Sequence, residues 1–118
     1  MTEIALREIA VPMSQMVRLC SVTETPNEGE VCEIAAAGRV FCVARVDGEV
    51  VVMDNVCPHR GGPLGQGLIE NGHVVCPWHA WAFNAKTGCA SHNSKACVRR
   101  YEVQVEGDAV LVDVEGNG

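Results

Sequence analysis

Four side chains able to bind metal stand in two short groups: Cys57-x-His59 and, after sixteen intervening residues, Cys76-x-x-His79. Two thiolates and two imidazoles make a complete four-donor set, and a structural zinc ion accepts such a set. Zinc fingers, however, usually draw like donors from each short motif, whereas here each group holds one Cys and one His. That division suits two irons bridged by two sulfides, with both thiolates on one iron and both imidazoles on the other. Each group would then give one donor to each iron. Such a centre moves single electrons, while zinc is redox-inert and colourless. On the donors alone both readings stand.

Donors placed this way need a scaffold that brings residues 57–59 beside 76–79. From Cys57 to Gly67 the chain is too rich in Gly and Pro for a strand interior, so this stretch reads as a loop. Short strands are expected at Leu68–Glu70 and His73–Val75, joined by Asn71-Gly72, a strong two-residue hairpin signal. That hairpin folds the chain back and places Cys57-Pro58-His59 next to Cys76-Pro77-Trp78-His79. Two irregular loops then meet at one end of a rigid element, the usual way a scaffold presents a site. Glycines 61, 62, 65 and 67 suit a loop that must turn its backbone N–H groups toward an anionic centre.

The remaining periodicity is that of β-structure. Strands are predicted at Val17–Ser21, Glu30–Ile34, Val40–Ala44 and Glu49–Met53, the last two joined by Asp47-Gly48. Tyr101–Glu106 alternates apolar and polar residues, and Ala109–Val114 follows after Gly107-Asp108. No amphipathic helix exceeds a turn or two. The expected fold class is therefore all-β, a small sandwich or barrel.

With 118 residues, 47% of them hydrophobic and 20% charged, the chain has the size and composition of one globular domain. The net charge of −6 argues against nucleic acid, whose phosphates call for a surplus of Lys and Arg. No apolar run approaches the roughly 20 residues of a membrane helix, and the first residues do not read as a secretory signal. Residues 1–15 read as an N-terminal extension, and 16–118 as a single domain with its site loops at about 55–82. Seven cysteines, an odd count without a signal, speak against a disulfide framework and for a reducing, cytoplasmic setting. Cys20, Cys32, Cys42, Cys89 and Cys97 are expected as small core or surface residues. His73 is expected in a strand and His92 in a surface loop.

The segments Cys57-Pro58-His59-Arg60-Gly61-Gly62-Pro63-Leu64 and Cys76-Pro77-Trp78-His79-Ala80-Trp81, followed by Phe83 and Thr87-Gly88, resemble those of a stand-alone Rieske-type ferredoxin. The likeness runs from about Val17 to Val114. It implies a β-sandwich base carrying a smaller cluster-binding subdomain with one [2Fe–2S] cluster. It implies Cys57 and Cys76 on one iron, and His59 and His79 on the other, at an exposed tip. It also implies a one-electron carrier between a flavin-dependent reductase and a terminal oxygenase or other redox enzyme; catalytic residues are not expected in it, and a monomer is the expected state. A Rieske-like small subunit of an NADH-dependent nitrite reductase is the alternative. An oxygenase itself needs a further mononuclear iron, and only His73 and His92 remain among the histidines.

The resemblance also bears on potential. Rieske centres span about −150 to +300 mV, above plant-type clusters near −400 mV, because neutral imidazoles replace two anionic thiolates. High-potential relatives carry a disulfide between the loops and hydroxyl donors after the second loop. Gly62 and Trp78 stand at the disulfide positions here, and Trp81 and Phe83 at the hydroxyl positions, so low potential is expected. Trp78 and Trp81 are expected to shield the centre. Two departures stand out: Ala80 replaces the usual Gly, and the third loop, Ala90–Ala96, contains no Pro.

Overall fold

The computed structural model describes residues 16–78 and 80–114, so the expected extension at 1–15, as well as His79, lies outside the described residues. Twelve strands follow in order: β1 Met16–Ser21, β2 Val31–Ala36, β3 Arg39–Val46, β4 Glu49–Asp54, β5 Leu68–Glu70, β6 His73–Val75, β7 Ala82–Asn84, β8 Cys89–Ala90, β9 Asn93–Cys97, β10 Arg100–Tyr101, β11 Val103–Glu106 and β12 Ala109–Asp113. They form three antiparallel sheets, ordered β1-β12-β11, β10-β4-β3-β2 and β5-β6-β7-β8-β9. The fold is all-β, as expected, and no described helix is long and apolar enough to cross a membrane.

Local chemistry explains the hairpins. Asp47-Gly48 has φ of 55° and 80°, and Asn71-Gly72 has 52° and 76°. Both central residues of each turn are therefore left-handed, which Asp, Asn and Gly tolerate best. Ala37-Gly38 makes the same kind of turn between β2 and β3, with φ of 54° and 74°. Alanine gives no turn signal, so sequence reading passes over it.

β3 and β4 form the middle layer. β3 sends Phe41 and Val43 to one core, with Val52, Tyr101, Val110 and Val112. It sends Cys42, Ala44 and Val46 to a second core, with Met53, Leu64, Val74, Phe83, Ala90 and Val98. Being buried on both faces, β3 reads as a continuous apolar run instead of an alternating one. The first core lies in the base, and the second joins that base to the five-stranded subdomain that carries the candidate site.

Two expectations are corrected. The run read as one strand, Tyr101–Glu106, divides: β10 pairs with β4 (Tyr101 opposite Val52) and β11 with β12 (Val103 opposite Val112). The chain passes between sheets at Glu102, whose carbonyl accepts the Asp113 N–H at 3.1 Å. Second, the cysteines are not all unpaired, since Cys89 and Cys97 form a disulfide across β8 and β9. The turn at Ser91-His92 brings them opposite each other. Closing a loop with a sequence separation of 8 removes unfolded-chain freedom worth about 2–3 kcal/mol. The remaining described thiols are unpaired: Cys20, Cys42, Cys57 and Cys76 are buried and Cys32 is partly so.

The end of β4, from which the first site loop departs, is held firmly. The Tyr101 hydroxyl donates to Asp54, Arg39 donates to the Tyr101 oxygen, and the Arg39 guanidinium lies 3.5 Å from the Asp54 carboxylate. Tyr101 packs edge-on to Phe41 at 5.3 Å. The Asp54 N–H donates to the Arg99 carbonyl at 2.9 Å.

Candidate metal centre

The two site loops are built alike. In the first, the Cys57 N–H donates to the Gly62 carbonyl at 2.9 Å; in the second, the Cys76 N–H donates to the Trp81 carbonyl at 2.8 Å. Each loop thus closes over five residues from its cysteine. Four residues after each cysteine the chain is left-handed, at Gly61 (φ 82°) and at Ala80 (φ 58°). The second loop is also the turn between β6 and β7, so the Asn71-Gly72 hairpin aims it.

Both thiols are buried, each residue being 2% exposed, and the Cys57 and Cys76 side chains lie within reach of each other. Burial pushes the Cys76 thiol up from its ordinary value, the Trp78 N–H pulls it back down, and the neighbouring Cys57 thiol adds to the upward push. The Trp78 N–H points at Cys76 Sγ at 3.4 Å. A bound metal takes thiolates, so loading must expel their protons. Gly62 faces this pair: a Cβ there would sit 2.7 Å from Cys76 Sγ and 3.1 Å from the Trp78 ring. The loop therefore leaves a cradle that a side chain would fill.

His59 is partly exposed while its Nδ1 is buried. Its ring stacks on Trp81, with centroids 4.2 Å apart and planes 9° apart. Trp81 thus covers one face of His59. Trp78 is 49% exposed, and its ring lies against Gly62. The structure brings Cys57, Cys76 and His59 to one end of the subdomain, and His79 lies outside the described residues. His73 is in β6, as expected, with Nδ1 2.9 Å from the Asn71 carbonyl. His92 is exposed, as expected, but its ring also meets Trp81 edge-on at 4.3 Å. Cys42 takes no part: burial pushes its thiol up to about 12, and it stays protonated in the core.

Residues that position the first loop escaped sequence reading. Asn55 accepts the Gly65 N–H at 2.7 Å and donates to Glu33 at 2.7 Å, while Gln66 donates to the other Glu33 oxygen at 3.2 Å. Glu33, on β2, thereby ties the loop to the base. Buried Leu64 pins the same segment from within, and its N–H donates to the Asn55 carbonyl at 2.8 Å.

Ala80 carries strain where Gly would carry none, since a left-handed L-residue costs about 1–2 kcal/mol. Ala80→Gly is expected to raise the unfolding free energy by about 1 kcal/mol, partly offset by the freer unfolded chain. Denaturant unfolding of the two proteins measures this, and an equal or lower midpoint for the variant contradicts it.

Comparison with known proteins agrees with this geometry. Residues 15–102 match the Rieske [2Fe-2S] domain family. The ferredoxin component of the naphthalene 1,2-dioxygenase system of Pseudomonas aeruginosa is 30% identical over 90 residues, covering 74% of this chain and 85% of that protein. The ferredoxin component of the p-cumate 2,3-dioxygenase system of Pseudomonas putida is 31% identical over 109 residues, covering 88% and 90%. The structure of the Sphingomonas yanoikuyae B1 ferredoxin superposes with a TM-score of 0.73 at 31% identity, over 82% of this chain and 96% of that one. Paired loops, buried thiols, a shielded imidazole and the sequence match converge, and the chain belongs to the Rieske [2Fe-2S] domain family.

Proposed function

We propose that this protein is a one-electron carrier that takes an electron from a flavin-dependent reductase and delivers it to an oxygenase, within the cytoplasm. Residues 16–118 act as the single functional domain. Cys57 and Cys76 hold one iron of a [2Fe–2S] cluster, and His59 and His79 hold the other. The observation that carries this reading is the convergence of two buried thiols from two loops closed in the same way. The cradle at Gly62, the buried Nδ1 of His59 and the donor set fit such a cluster. Ferredoxin components matched over most of their own length support the carrier role and an oxygenase as acceptor.

When bound, the cluster supplies a one-electron couple; the chain holds it, keeps water off it and presents it. Cys57 and Cys76 sit on the buried side, while His59 reaches the surface. A partner docked on the His59 side would therefore approach the cluster from the more exposed donors. Trp81 covers one face of His59. Neither Trp81 nor Phe83 carries a hydroxyl to donate to a cluster sulfur, and such hydrogen bonds are among the factors that set the potential.

Potentiometric titration with low-temperature EPR tests the reading. The expected result is a rhombic signal of the His-ligated type with a midpoint near about −150 mV. A colourless protein that binds zinc overturns the carrier. The same signal well above zero keeps the donors and removes the low-potential assignment.

A further inference from the structure

The β8–β9 hairpin approaches the site at its turn, where His92 meets Trp81, and its own ladder is sparse. Cys89 opposes Cys97 and Ala90 opposes Asn93, and Ser94, Lys95 and Ala96 bulge between the two pairs. β8 meets β7 at one pair, Phe83 opposite Ala90. Backbone bonds from Ser91 N–H to the Ala82 carbonyl (2.9 Å) and from Val98 N–H to the Gly88 carbonyl (2.7 Å) complete its attachment. At the turn, His92 meets Trp81 edge-on, and Trp81 stacks on His59. A line of three rings thus runs from the hairpin tip to the first loop. The Cys89–Cys97 bond crosses the hairpin at its open end, where Cys97 is exposed and Cys89 half-buried. Exchange with an external thiol depends on such access.

We propose that Cys89 and Cys97 form a reversible thiol–disulfide exchange site, whose oxidised form clasps the hairpin whose turn meets Trp81 and whose reductant is a dithiol. A thiolate of the dithiol attacks Cys97 Sγ; the bond to Cys89 breaks, and Cys89 Sγ leaves as a thiolate and takes up a proton. The second thiol of the reductant then attacks the mixed disulfide, releasing Cys97 Sγ, which is protonated in turn. Two electrons and two protons enter the protein, and the dithiol becomes a disulfide. With the bond open, the hairpin is left with its sparse ladder, the Ser91 and Val98 backbone bonds and the packing of Ala90 and Val98; the ring line slackens, and water gains access to His59. Only this last consequence rests on the function proposed above.

The test uses the iron-loaded protein. Alkylation without reductant, followed by peptide mass spectrometry, is expected to find Cys89 and Cys97 cross-linked; dithiothreitol is expected to free those two for alkylation. Hydrogen exchange of the oxidised and dithiothreitol-reduced forms is expected to show at least tenfold faster exchange at the Ser91 and Val98 amides after reduction. The amides of Val43 and Val52 in the base are expected to be unchanged. A C89S/C97S variant prepared without reductant should reproduce the reduced pattern, and if it does not fold, the reduced wild-type protein decides alone. Absence of the cross-linked peptide, or exchange at Ser91 that ignores the bond, overturns the proposal. Neither readout depends on cluster type, so a failed EPR test and a failed clasp are told apart.

Discussion

His79→Cys is expected to lower the midpoint potential of the iron-loaded protein by up to about 250 mV, the gap between the bottom of the Rieske range and plant-type clusters. The cause is charge. A neutral imidazole gives way to an anionic thiolate on the iron that accepts the electron, so the reduced state becomes more costly. The variant keeps four donors at the same spacing, and Cys57, Cys76 and His59 are unaltered. Its EPR signal should lose the character given by two imidazoles on one iron. The control is His92→Ala, whose ring meets Trp81 at 4.3 Å and belongs to no donor group; its potential should move far less. A variant of His79 that assembles a cluster with unchanged potential and unchanged EPR signal would remove His79 from the ligand set.

Much of the site was legible because its local chemistry is restrictive. Few residue types accept two successive left-handed positions, so Asp47-Gly48 and Asn71-Gly72 reveal their hairpins directly. The second of these turns the chain back, so that Cys76 returns toward the loop that begins at Cys57. The donor types then narrow the chemistry to very few centres. What stayed hidden depends on partners distant in sequence. Alternation in Tyr101–Glu106 shows a strand but not that Tyr101 pairs with Val52 while Val103 pairs with Val112. Glu33 is one of fifteen acidic residues, and nothing beside it says that it anchors Asn55 and Gln66. The Cys89–Cys97 bond depends on a register shift within a hairpin, which a count of cysteines does not reveal. β7 and β8, of three and two residues, are too short to leave a periodic trace.

Gly62→Ala is expected to cost most of the bound iron while leaving the fold intact. The added methyl would lie 2.7 Å from Cys76 Sγ, where ordinary contacts lie at 3.4–4 Å. Neither backbone yields easily. Gly62 is fixed by the Cys57 N–H bond to its carbonyl, and the adjoining Pro63 is bridged to Val56. Cys76 is fixed by its own N–H bond to Trp81. The sulfur must therefore move by several tenths of an ångström, while metal–ligand distances tolerate only about 0.2 Å. Visible absorbance and iron per chain should fall together, and far-UV circular dichroism should stay unchanged because Gly62 lies outside every sheet. The methyl would also come 3.1 Å from the Trp78 ring, but that side chain is half-exposed and can swing aside. A G62A/W78A double variant separates the two obstructions. If the sulfur is the obstacle, the double variant remains iron-poor; if the indole is, iron returns. Full iron in Gly62→Ala alone would mean that Cys76 Sγ does not face the centre across this loop.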